Sequence, residues 1–196
     1  MPEPPYRAVL LFGAPGVGKG TQGQRLGRLP QFVHLSTGDM FRSLDTNSPL
    51  GKEVRTFTER GELVPDELTI RIFRDAVHRL VASHKFDAKQ DTLVLDGIPR
   101  NVNQCRILDK EIRVVRVIHL VSSNEEAMVA RMKKRAQLEG RKDDADEAVI
   151  RRRFDVYRRE TEPVLSHYPS DLILEIDALG TPDEVAAAIE KGLRNK

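Results

Sequence analysis

The 196-residue chain carries 32 basic and 30 acidic side chains, a formal charge of +2, so neither nucleic acid nor an anionic membrane is expected as its main partner. Hydrophobic residues make up 39% and charged residues 32%, which suits the core and the soluble surface of one domain. A single cysteine, Cys105, excludes an internal disulfide and a multi-cysteine zinc site, and it fits a reducing compartment.

The chain opens with the proline-rich "MPEPPYRAVLLFG", which lacks the basic leader and long apolar stretch of a signal peptide. No segment is long enough to span a bilayer, so a cytoplasmic protein is expected. Short apolar runs rich in branched residues follow at 8–12 (AVLLF), 32–36 (FVHLS), 92–96 (TLVLD), 114–120 (VVRVIHL) and 172–176 (LILEI). Separated by helical patterns, they read as the five buried strands of a parallel sheet with helices on both faces, an α/β three-layer sandwich. Such sheets bind ligands at the carboxyl ends of their strands. There the glycine loop follows the first strand, "STGD" ends the second, "DGIPR" ends the third, and the basic segment 131–152 follows the fourth. Residues 37–66 read as a mostly helical insertion broken at "NSPLG" (47–51), with "RGELVPD" (60–66) as its exit. Residues 136–144 read as a short polar loop between two helices, either a mobile flap or an ordinary surface loop.

The most specific stretch is "LLFGAPGVGKGT", 10–21. Glycines at 13, 16, 18 and 20 clear side chains from a turn in which backbone N–H groups approach an anion. The helix starting near Lys19 adds its positive end, and Lys19 adds a charge that can follow a phosphoryl group. Strand, "GxxxxGK" and helix together make a phosphate loop. The general pattern has Ser or Thr directly after the lysine, but here Gly20 intervenes before Thr21. No Asn/Thr-Lys-x-Asp guanine-reading motif is present, which argues against a regulatory GTPase, and the length leaves little room for a motor or transport ATPase.

"GAPGVGKGTQ" resembles the loop of nucleoside monophosphate kinases, adenylate kinase above all. "LSTGDMFR" (35–42), "GELVPD" (61–66), "LDGIPRNVNQ" (95–104), "RMKKR" (131–135) and "GRKDD" (140–144) follow in that family's order. In the family Gly20-Thr21 is the normal arrangement. The resemblance implies one kinase domain with a core of 1–36, 67–135 and 145–196, an acceptor-binding insertion of about 37–66, and a short lid of about 136–144. It implies a monomer moving phosphoryl groups reversibly between Mg-ATP and AMP. Magnesium would be held mostly by phosphates and waters, with Asp96 in the outer shell.

Phosphoryl transfer needs positioning, charge neutralisation and exclusion of water, hence several arginines on separate segments. The resemblance gives the catalytic cations as Lys19, Arg42, Arg100, Arg135, Arg141 and Arg152. It gives the ATP site as Gly16, Val17, Gly18, Lys19, Gly20, Thr21, Arg131, Arg135 and Gly180. It gives the AMP site as Thr37, Arg42, Glu62, Leu63, Val64, Gly97, Ile98, Pro99, Arg100, Gln104, Arg141 and Arg152. Helix geometry alone does not select Arg152. On a helical wheel Arg153 projects nearest the centre of the stripe formed by Val149, Ile150, Phe154, Val156 and Tyr157, which reads as a structural, snorkelling residue. Asp39 also reads as a helix cap, as do Asp143 and Asp144, although the resemblance implies that this pair holds the shape of the lid; the five histidines are scattered singly. The family's lid begins Arg-Gly, whereas Ala136 follows Arg135 here, a change that stiffens the hinge or lengthens the helix.

Thr37 and Gln104 occupy the family positions that face the acceptor base, and both residue types point to adenine. Asn101 is more usual in the UMP/CMP kinases, which stand as the second reading. A non-catalytic nucleotide sensor is a third, disfavoured because binding alone does not need so many cations.

Overall fold

Residues 6–194 are described by a computed structural model. Five strands, β1 (Tyr6–Phe12), β2 (Phe32–Ser36), β3 (Thr92–Asp96), β4 (Ile112–Val121) and β5 (Ile173–Asp177), pair in parallel in the order β2-β3-β1-β4-β5. All five fall on the apolar runs of the sequence. β1 is central, and the chain crosses from one side of it to the other between β3 and β4, so the carboxyl end of β1 lies at the switch point where such sheets hold ligands.

Side chains leave the sheet alternately into two cores. Ala8, Leu10, Phe12, Leu93 and Leu95 join one, together with α2 (Thr37–Arg42), α3 (Pro49–Thr58), α4 (Asp66–Ala82) and α5 (Val102–Leu108). Val9, Leu11 and Val94 join the other, with α1 (Lys19–Leu26), α6 (Glu125–Glu139), α7 (Glu147–Val156) and α8 (Pro182–Arg194). On β4 the alternation changes phase. The pairing of β1 with β4 runs Ala8 with Val114 and then Val9 with Arg116, leaving Val115 as an extra residue in a bulge. Before it, even-numbered Ile112 and Val114 face the first core; beyond it, odd-numbered Val117 does, while Ile118 and Leu120 face the second.

Two boundaries differ from the sequence expectation. "NSPLG" starts a helix: Ser48 accepts from the Gly51 amide as N-cap and Pro49 takes the first helical position, where its missing N–H costs nothing. The expected loop 136–144 is half helix. With Ala in place of Gly at 136, α6 runs on to Glu139 and stops at Gly140, whose φ of 64° closes the helix left-handed. Among the described residues no helix is long and apolar enough to cross a membrane.

Candidate active site

The carboxyl ends of β1, β2 and β3 open into a cleft of about 690 Å³. Its floor is the turn from β1 to α1. Gly18 is the N-cap of α1 at φ 111°, a conformation costly for any residue with a Cβ, and it aims the first turn's amides into the cleft. Gly16, Gly18, Lys19, Gly20 and Thr21 line the cleft, whereas Val17 is buried beneath it. The Lys19 ammonium folds back on the carbonyls of Gly13 and Ala14, at 2.6 and 2.9 Å. Burial pulls its pKa down to about 8; Asp96 opposes this, and Arg100, Arg153 and Arg135 add to it.

Asp96 ends β3, is 8% exposed and lines the cleft. Behind it the buried His34 Nε2 lies 4.0 Å from the Asp96 carboxylate and has no hydrogen-bond partner among the described residues. Burial holds this imidazole below its usual pKa against the pull of Asp96 and Asp39. Gly97, at φ 83°, turns the chain where a Cβ would stand 2.5 Å from the Thr37 hydroxyl. A cis Ile98–Pro99 peptide follows. Gly97, Pro99 and Arg100 line the cleft, and Ile98 points into the core. Burial and then Arg153 push the Arg100 pKa down to about 10.

The second wall belongs to the helical insertion. Ser36, rather than Asp39, caps α2 by accepting from the Asp39 amide. Asp39 instead pairs with Arg42 at 2.6 Å, and Arg42, Glu62, Leu63 and Val64 all line the cleft.

The third wall rests on one carboxylate. Asp144 is wholly buried and accepts from Arg135 Nε at 2.7 Å and Arg153 Nη1 at 2.5 Å, with Arg141 Nε 3.4 Å away. Arg153 also reaches Asp143 at 3.1 Å. The cap of α7 is Asp146, so Asp143 and Asp144 are free to hold arginines. Burial, followed by Arg135 and Arg42, lowers the Arg141 pKa.

Several expected positions lie elsewhere. Arg152 is absent from the cleft lining: it is 57% exposed on the rim, 2.6 Å from Glu62, and Arg153 takes the inward place. The apolar stripe of α7 already pointed to Arg153 as the inward residue; the family transfer passed it over. Thr37 and Gln104 do not face the cleft either. Thr37 is 0% exposed and donates to the carbonyls of Asp96 and Gly97. Gln104 is 1% exposed, and its amide is shared between Arg100 and Asp66. Asn101 caps α5 by accepting from the Gln104 amide at 2.8 Å, which gives it a structural role independent of any acceptor. Arg131 and Gly180 sit off the cleft at the end of β5, where Arg131 reaches the Ala178 carbonyl at 3.4 Å. Sequence reasoning turned Arg153 inward but gave it no place at the cleft, and it missed Tyr157, which lines the cleft from a wide i→i+5 turn (Tyr157–Thr161) of the kind that gathers at functional sites.

A phosphate loop at the switch point, faced by cations from three separate walls, defines a phosphotransferase of the nucleoside monophosphate kinase class. The family model described as adenylate kinase matches residues 11–173. A Thermus thermophilus adenylate kinase is 41% identical over 194 residues, covering 95% of this chain and 97% of the relative. An adenylate kinase of a Nocardioides species is 38% identical, covering 94% and 96%, and one of Flavobacterium psychrophilum 34%, covering 95% and 98%. The chain belongs to the adenylate kinase family.

Proposed function

We propose that the cleft carries reversible phosphoryl transfer from Mg-ATP to AMP, giving two ADP. The observation that carries this reading is the convergence of Lys19, Arg42, Arg100, Arg135, Arg141 and Arg153 on one cleft floored by a phosphate loop. An AMP phosphate oxygen attacks the γ-phosphorus as the bond to the β–γ bridging oxygen breaks, so charge moves from the γ- to the β-phosphate. No protein base is needed; the cations hold the groups in line and follow that charge. Lys19 leaves the Gly13 and Ala14 carbonyls for the phosphates. Arg42 and Arg100 hold the acceptor phosphate, Arg135, Arg141 and Arg153 close on the transferred group, and Arg131 with the loop at Gly180 takes the donor adenine. Arg153 replaces Arg152 in this set because only Arg153 reaches the cleft.

Asp96 is a lone carboxylate at a strand end beside the loop, which fits Mg²⁺ whose other ligands are phosphates and waters rather than a protein cage. Bound there with ATP, the ion neutralises phosphate charge. The insertion of about 37–66 and the lid, narrowed by the longer α6 to about 140–146, close over the nucleotides and exclude water. The protein works as a cytoplasmic monomer, a reading supported by its one buried, unpaired cysteine and near-neutral charge.

A coupled assay with Mg-ATP and AMP, CMP, UMP or GMP tests the reading. AMP is expected to exceed CMP and UMP by ~10²-fold or more in kcat/KM, an expectation supported by the adenylate kinase family rather than by Thr37 and Gln104, which face away from the cleft. CMP or UMP as the better acceptor overturns it in favour of a UMP/CMP kinase; no turnover with any acceptor favours a sensor.

A further inference from the structure

Asp66 is the last residue of "RGELVPD" and the first of α4, where the insertion rejoins the core. Its carboxylate gathers three side-chain amides: Oδ1 accepts from Asn101 Nδ2 and Gln104 Nε2, each at 2.8 Å, and Oδ2 accepts from Asn103 Nδ2 at 2.7 Å. Burial works against the charge, but these three donors outweigh it and hold the Asp66 pKa below the usual carboxylate range. A carboxylate only accepts, so it fixes which way each amide turns. With its NH₂ group committed to Asp66, Gln104 must direct Oε1 the other way, and that oxygen accepts from the Arg100 backbone N–H at 2.8 Å. The Arg100 carbonyl is held in turn by Thr161 Oγ1 at 2.8 Å, and its Nε donates to the Gly97 carbonyl at 2.9 Å.

We infer that Asp66 is a positioning residue for the acceptor phosphate, acting through Gln104 on the main chain of Arg100. The inference rests on the reading of Arg100 as an acceptor-phosphate cation. It also gives the buried Gln104 amide a task other than reading the base, and it ties the exit of the insertion to the cation that the insertion must meet. Because the effect passes through a phosphate-binding group, it should be blind to the base.

The test is Asp66→Leu, which removes both acceptor oxygens, whereas Asn would keep the one that Gln104 and Asn101 share. KM for AMP should rise about tenfold, the scale of one hydrogen bond to a charged group. KM for CMP should rise by the same factor, while kcat and KM for ATP stay within about twofold. The double variant D66N/Q104E reverses the polarity of the pair, since the new carboxylate accepts from both Arg100 N–H and the new amide, and it should recover most of the loss. A merely structural role predicts no such rescue. Calorimetric titration of AMP gives the same comparison without turnover, and Gln104→Met, which removes the link to Arg100, should reproduce the AMP effect if Asp66→Leu does not fold. An AMP KM within twofold of the parent, an equal loss for ATP, or a changed AMP-to-CMP ratio each overturns the inference. A parent that neither turns over nor binds AMP defeats the functional reading instead, and this inference with it.

Discussion

Lys19 is half-buried among arginines with its ammonium turned onto two carbonyls, and desolvation brings its pKa to about 8. Nucleotide phosphates reverse that balance by placing negative charge beside it. The bound state then holds more protons than the free state above about pH 8, so nucleotide affinity falls as pH rises, by up to about tenfold per unit. At pH 9, where the phosphates themselves no longer titrate, binding of Mg-ATP should take up on the order of one proton, against about a tenth at pH 7. Calorimetry in buffers of different ionisation enthalpy reads this directly. Lys19→Met should abolish the uptake and lower the rate by about 10²–10³, the loss usual for one transition-state cation. A variant that still takes up the proton assigns it to another group. Lys19 was legible in the sequence because backbone amides, helix end and lysine are all local to twelve residues. Gln104 was not: its partner Asp66 lies 38 positions away, and only the fold brings them together.

At the scale of elements, α6, α7 and the turn between them act as one unit because Asp144 accepts hydrogen bonds from both helices and forms an ion pair with Arg141 of the turn. Charge separation inside a protein is costly when one partner goes: Arg135 would lose its carboxylate, and Arg153 and Arg141 would be left with Asp143 alone or with more distant partners. Asp144→Asn should therefore cost about 3–5 kcal/mol, roughly a 10 °C fall in melting temperature for a chain of this size. Phosphates can replace the lost charge, so a bisubstrate analogue joining two adenosines should raise the variant's melting temperature more than the parent's. Thermal unfolding with and without the analogue checks both; a fall under about 2 °C would show that solvent already screens the cluster. The sequence showed these helices, and the apolar stripe of α7 turned Arg153 rather than Arg152 inward, but it gave Arg153 only a structural role, because the carboxylates and phosphate loop it meets lie on other segments. It left two outcomes for Ala136, a stiffer hinge or a longer helix, and the structure shows the longer helix, ending at Glu139.

Over the whole molecule, two thin parts flank a sheet whose core residues are nearly all below 10% exposure. If the insertion and the lid close together, the same analogue should protect amides at 37–66 and at 140–146, with little change in the strands. The helical 136–139 should be protected already in the free enzyme. Unchanged exchange in both segments would mean that neither moves. The sheet was legible because strands buried on both faces read as continuous apolar runs. Its change of phase in β4 was hidden for the same reason, since an unbroken run carries no alternation to break. That bulge sets where the protein's length can change. Removing one residue from a regular strand exchanges inside for outside in everything beyond it. At 115 the strand already carries one residue more than its neighbour needs, so a deletion there leaves Val117, Ile118 and Leu120 on the faces they now occupy. Deletion of His119, in the regular part beyond the bulge, turns Leu120 into the wrong layer. Within β4, the bulge is where the gene can lose a codon and keep both cores.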